Sequence, residues 1–469
     1  MWLWIAEGFI RNVDQKALPE DVAEGYLMDL IGRSLVMASQ KGSDGRVKAC
    51  LVHDMLRTLC LTKIQEENFL ESITGYDKLF PSPRIRLDCG VDSDCYCPSI
   101  TYNQHRLSIC SKRNQFVMLK PSSPCVRSLL FFAISDKYPR CPYDISFISD
   151  NFKLLRVLDV ESINVGSSFP TGIELLDTLR YLAVSGDIDS IPSTISKLWR
   201  LEIFIVKGLK GKVALPDTLW SMTRLRHLHV NSNAIFSWQD ESLTSSSRLD
   251  NLVTLSSPIL SYGDDTEKIM RKFPKLRKLR CTFSESSHQS GNCSRFPLLE
   301  FLTELESLKI FYYGGMHHSC EFNFPLNLKK LSLSDFILSW SSIFAIGILP
   351  KLEVLKLVSI DFDSPIWEMR EDEFCVLKFL KLDNLDIVQW NAYSDHLPNL
   401  QRLVLRSCKQ LQDVPSGFGE ISTLQMIELR WCSNSAENSV RAIQEEQLAY
   451  GNEGFQVFVN IPDAAFRSF

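Results

Sequence analysis

The sequence lacks any run of eighteen apolar residues, so no transmembrane helix is expected. Its first residues, MWLWIAEGFIRNVDQ, lack both a basic leader and a long apolar core, so no secretory signal is expected either. It contains no G-x-S-x-G and no H-E-x-x-H, and nothing nominates a catalytic residue. A phosphate-cradling G-x-x-x-x-G-K-[ST] is also missing. Its nearest imitation, GLKGKV at residues 208–213, has misplaced glycines and Val213 where a hydroxyl is needed. There is no excess of positive charge: the formal net charge is −5, which argues against a chain built to wrap nucleic acid. Fourteen cysteines are present, but not in paired zinc spacing. Cys89, Cys95 and Cys97, like His317, His318 and Cys320, are the only local clusters with ligand character, and no metal is expected at either. Free thiols in a reducing compartment are the default. They point to a cytoplasmic protein, with nuclear entry or peripheral membrane association as alternatives.

What is present is a repeat. L-x-x-L-x-L recurs as LRVLDV from Leu155, LRYLAV from Leu179, LEIFIV from Leu201, LRHLHV from Leu225 and LVTLSS from Leu252. It continues as LRKLRC from Leu276, LESLKI from Leu305, LKKLSL from Leu328, LEVLKL from Leu352, LKFLKL from Leu377, LQRLVL from Leu400 and LQMIEL from Leu424. Successive starts lie 22 to 29 residues apart, and VRSLLF from Val126 is a plausible first member. That period belongs to leucine-rich repeats, in which one strand per unit buries its leucines only by stacking on its neighbours. The fold expected is therefore an α/β repeat, a leucine-rich-repeat solenoid curving into a horseshoe. Prolines in IPSTI, LPDTL and VPSGF suit the irregular convex side, which needs no ladder donor. Polar ENSVRAIQEEQLAYG predicts a terminal helix that covers the open end of the stack.

The first 75 residues differ. EDVAEGYLMDLIGRSLV has apolar residues at helical steps, with acids near its start. SQKGSDGRVKA reads as a glycine-rich hairpin turn, and DMLRTLCLTKIQEENF returns to helical spacing. Helix, hairpin and helix outline a partial winged-helix module. The module is too acidic for DNA, with only Lys41, Arg46 and Lys48 at the hairpin tip. The expected domains are a winged-helix module over 1–75, a linker over 76–120 leading into the repeats, leucine-rich repeats over 121–435, and a cap or tail over 436–469.

Two groups of residues are candidates for function. In ACLVHDMLRTLC, His53 and Asp54 form a histidine–carboxylate pair: either a polar contact for an anion or a satisfied pair at a helix start. The second group occupies the x positions that face outward on the concave side: Arg277, Lys278, Arg280, Lys309, Lys329, Lys330, Lys356, Lys378, Lys381 and Arg402, opposed only by Glu306 and Glu353. Like charges on adjacent strands repel, so such a column is either a docking face for an acidic protein or plain solubilisation of exposed strands. Phe379 is the main aromatic among these positions, too little for nucleic acid stacking. Phe311, Tyr312, Tyr313 and Trp431 follow their strands closely, either as interface anchors or packed on a neighbouring loop.

LWIAEGFI at residues 3–10, the winged-helix outline, LVHDMLRTLC at 51–60 and the repeats together resemble plant intracellular nucleotide-binding leucine-rich-repeat disease-resistance proteins. The coiled-coil-bearing, late-blight-resistance-like group is the nearest likeness. The resemblance places Val52, His53 and Asp54 at a methionine–histidine–aspartate motif whose His contacts the phosphates of bound ADP and whose Asp supports local packing. It implies a receptor portion that recognises a pathogen effector or a guarded host protein, and that restrains its own nucleotide-binding region. The alternatives are a stand-alone adaptor or decoy, or a nonfunctional truncated paralogue. The family's P-loop region is missing, so the chain reads as beginning partway through the winged-helix module. No cofactor is expected in this chain; ADP or ATP is expected only where that region is supplied.

Overall fold

The computed structural model describes residues 1–10, 17–73, 104–110, 116–117, 120–132, 142–209, 211–236, 247–261, 264–284, 298–314 and 322–460. Both cysteine and histidine clusters considered for metal lie outside these residues; among the described ones no group of three ligating side chains is suited to a metal. No described helix is long and apolar enough to cross a membrane. The chain divides into two compact units: Met1–Met37 with Leu51–Leu252, and Ala38–Cys50 with Val253–Phe469.

The winged-helix elements are α1 (Trp2–Glu7), α2 (Pro19–Gly32), the hairpin β1 (Val36–Lys41) and β2 (Val47–Val52), and α3 (Asp54–Glu66). Gly8 ends α1 in the left-handed region at φ 82°, where a side chain would be strained. Pro19 opens α2, where a missing N–H costs nothing, and Glu20 and Asp21 lie at its positive end. Gly45, at φ 74°, lets the hairpin reverse, and the Gly42 N–H closes the turn on the Arg46 carbonyl at 2.6 Å.

In the first unit, short parallel strands stack one per repeat, from Arg106–Ile109 through Ser128–Phe131, Val157–Asn164, Tyr181–Gly186 and Ile203–Gly208 to His227–Phe236. The second apolar position of each motif is in register across them, with Leu107 joining the row from a segment without the motif: Leu107, Leu129, Leu158, Leu182, Phe204 and Leu228 are all fully buried. Glu71–Ile73 also pairs with the Arg106 strand, so the ladder takes in segments upstream of 121 that carry no leucine motif. Pro192 and Pro216 each precede a single 3₁₀ turn on the far side, consistent with their lack of a donor.

The second unit repeats the scheme with Leu255, Leu279, Leu308, Leu331, Leu355, Leu380, Leu403 and Ile427 in register. The terminal helix forms over Asn434–Ala449, with Ser433 capping it through the Ala436 N–H. One more strand, Gln456–Val459, then extends the ladder beyond it. A corner follows each ladder strand from Lys330–Ser334 to Met426–Arg430. Asp335, Ser359, Asn384, Ser407 and Trp431 stand immediately after their strands with φ between 50° and 66°. The N–H of Asp335, Ser359, Asn384 and Ser407 donates to the carbonyl of Val358, Asp383, Arg406 and Arg430, the residue just before the next corner. Trp431 completes the series on the Asn460 side chain instead, at 2.8 Å.

Candidate interaction surface on the outer faces of the sheets

The leucines of each motif point inward, and the x positions form the opposite, outer face. In the first unit that face carries a covered apolar patch. Ala6 of α1 is fully buried in one cluster with Val157, Tyr181, Ala183, Ile203 and Ile205, and Trp2, Leu3 and Leu130 pack on it. All five partners of Ala6 occupy x positions, which a repeat ordinarily leaves to water or to a ligand.

Polar contacts rim this patch. Glu7 accepts from Arg106 at 3.1 Å and from the Ser128 hydroxyl, and the Arg106 guanidinium lies 4.2 Å from the Phe69 ring centre. Glu20 of α2 accepts from both arms of Arg226 at 2.8 and 2.5 Å and meets His227 Nε2 at 2.8 Å, while Trp2 stacks on the His227 ring at 4.6 Å. Burial pushes the Glu20 carboxyl up, but the hydrogen bonds and charges of His227 and Arg226 outweigh it and hold the group at about 2. Burial, with the nearby charge of Glu161, pushes Asp159 up to about 6, and the Tyr181 hydroxyl donates to it at 3.4 Å.

The second unit carries the ten basic candidates. Five are partnered by carboxylates: Arg277 and Lys329 by Glu306 at 3.5 and 3.3 Å, Lys378 by Glu353 at 3.0 Å, Lys381 by Asp383 at 2.6 Å, and Lys330 by Asp44 of the hairpin turn. Acids beyond Glu306 and Glu353 thus oppose the column. Asp383 lies at the far end of its strand, and Asp44 lies some 280 residues upstream in the chain. Burial alone would raise Asp44; the Lys330 hydrogen bond and charge, with backbone N–H groups of the turn, lower it. Arg280 and Lys309 sit over Phe311 at 5.2 and 4.5 Å, and Lys356 and Arg402 over Phe379 at 5.1 and 5.7 Å. Lys278 opens its strand, exposed. The flanking aromatics divide: Tyr312 is buried against Phe336, while Tyr313 and Trp431 are 77% and 65% exposed.

His53 and Asp54 are placed differently. His53 is the N-cap of α3, its Nδ1 accepting from the Met55 N–H at 3.3 Å, and Asp54 opens the first turn. No residue of α3 is buried; Leu51, Val52, Met55, Leu59 and Leu61 are all exposed.

Two family models match the chain: the disease resistance protein winged helix domain over residues 1–60 and a leucine-rich repeat region over 126–344. The chain is 38% identical over 463 residues to putative late blight resistance protein homolog R1B-23 of Solanum demissum, covering 95% of this chain and 34% of that protein. It is 37% identical over 460 residues to a second putative late blight resistance protein homolog of the same species, covering 95% of this chain and 56% of that protein. The chain thus spans about a third to about half of the length of these relatives. Among solved structures, a leucine-rich-repeat protein of Leptospira interrogans, LIC12759, aligns at TM-score 0.44 and 16% identity, covering 76% of this chain and 90% of that one.

Proposed function

Because this chain belongs to the late-blight-resistance type of plant disease-resistance protein and spans its winged-helix and leucine-rich-repeat regions, we propose that its winged-helix module is the resting occupant of the very faces the repeats use for recognition. In each unit, a part of the module covers x positions: α1 and α2 in the first, the hairpin turn in the second. An acidic surface on a pathogen effector, a guarded host protein or the receptor's own nucleotide-binding region competes for the basic face. The work is binding, not catalysis. ADP or ATP enters only where a P-loop region is joined to the chain, and His53 then offers Nε2 to it.

The observation that carries this is Asp44, whose side chain is only 8% exposed against Lys330. A carboxylate at a hairpin tip is ordinarily solvated, and here it takes the place an acidic ligand would take. The test is charge reversal in the receptor expressed in leaf tissue. Asp44→Lys should trigger defence without a pathogen, and adding Lys330→Asp should restore quiescence. Equal quiescence of wild type and Asp44→Lys would sink the proposal.

A further inference from the structure

Strand register lines up Arg280, Lys309, Ser332, Lys356 and Lys381 on five successive strands of the second unit. With strands about 4.8 Å apart, Lys309, Ser332 and Lys356 span roughly 10 Å. Arg280 and Lys309 are direct neighbours, as are Lys356 and Lys381, an arrangement that repels. Within the row, of the described residues, only Lys381 has a carboxylate partner, Asp383, and elsewhere on this face Arg277, Lys329, Lys330 and Lys378 are met by Glu306, Asp44 or Glu353. Among the described residues, no carboxylate lies within ion-pair distance of Arg280, Lys309 or Lys356. Their cationic groups are instead held over Phe311 and Phe379.

We propose that this row, with Lys48 of the hairpin facing it, is a binding site for a small oligophosphate anion. Burial first, then the charges of Lys48, Lys381 and Lys309, draw the Lys356 ammonium down to about 8, and Lys309 is lowered by the same kinds of neighbour. Asp44 faces Lys356 too, but its carboxylate is already committed to Lys330. Bringing Lys48 towards two lysines is unfavourable by itself and favourable with an anion between them. The Ser332 hydroxyl sits at the centre of the row as a neutral donor. An acidic protein segment would have to dislodge the hairpin; a compact anion joins it. Several cations within reach of one ligand match a multiply charged phosphate better than a single carboxylate. The proposal does not rest on the resting-occupant reading.

The test is calorimetric titration of the full chain with inorganic tripolyphosphate at low salt, beside thermal melts. Saturable one-to-one binding is expected, weakened about tenfold or more by Lys309→Gln and by Lys356→Gln. Lys329→Gln and Lys378→Gln, which remove partnered charges from the same face, should weaken it less than threefold. Without the anion, Lys356→Gln should melt at or above wild type because it relieves repulsion, which separates loss of a ligand from loss of the fold. Absence of saturable binding, equal weakening by all four variants, or tighter binding of a polyglutamate peptide through Lys309 and Lys356 would overturn the proposal. Quiescence in the leaf assay can fail while tripolyphosphate still binds, so the two ideas fall separately.

Discussion

Glu20→Gln is the most informative single change in the first unit. Gln has the shape of a protonated Glu, so the substitution removes what the charge gives to the cluster with Arg226 and His227. The carboxyl is held at about 2 against 4.5 for an unperturbed group, a difference worth ~3 kcal/mol. Glu20 and Arg226 are 17% and 15% exposed and His227 2%, so solvent screens little of it. Hydrogen exchange of the α2 amides at pH 7 should therefore speed up by about a hundredfold or more if α2 opens locally. The same stabilisation is fully present above about pH 4.5 and drains away as pH falls towards 2, because the folded carboxyl is the stronger acid. After correction for intrinsic rates, wild-type protection of α2 should fall across that window and that of Glu20→Gln should stay flat. Exchange in the variant within threefold of wild type, or identical acid profiles, would refute the argument.

Two further outcomes are expected. Ala6→Trp forces a large ring against five buried residues and should cost about 1–3 kcal/mol, seen as a lower melting temperature; an unchanged melt would mean α1 does not seat as described. His53→Ala should cost about 0.5–1 kcal/mol through loss of the cap, visible as faster exchange confined to Asp54–Glu66, with α2 unaffected.

The inward face of the repeats was legible because its cause is local. A leucine that must stack on the same leucine one repeat away leaves a period in the text, and Leu155 to Leu424 carry it. The strands Glu71–Ile73 and Arg106–Ile109 left no such period, and their place in the ladder comes from neighbours that do. The basic candidates were legible as charges but not as partners, because the acid that meets Lys330 is far away in sequence and sits within a turn that reads as basic from Lys41, Arg46 and Lys48. The covered patch in the first unit was missed for the same reason. Val157, Tyr181, Ala183, Ile203 and Ile205 are apolar at positions where Leu276 to Leu405 hold charges, and that contrast was the available signal. His53 and Asp54 were legible as a pair, and they stand at the start of α3.

The corners after the strands of the second unit have a consequence for how such a protein changes over generations. From Asp335 to Ser407 each is closed by main-chain atoms, and the side chains that occupy them, an aspartate, an asparagine and two serines, are all short and polar. A left-handed corner costs a residue with a side chain about 1–2 kcal/mol, least for an aspartate or asparagine whose short polar group can hydrogen-bond locally. Mutation can therefore exchange one short polar residue for another here, and alter the loops beyond them, without unpicking the stack that holds them. Trp431, exposed at the last of these corners, shows that a large side chain can also stand there. Variation is tolerated on the rim and damaging one strand inward, so a lineage can search for new molecular targets while the scaffold stays still.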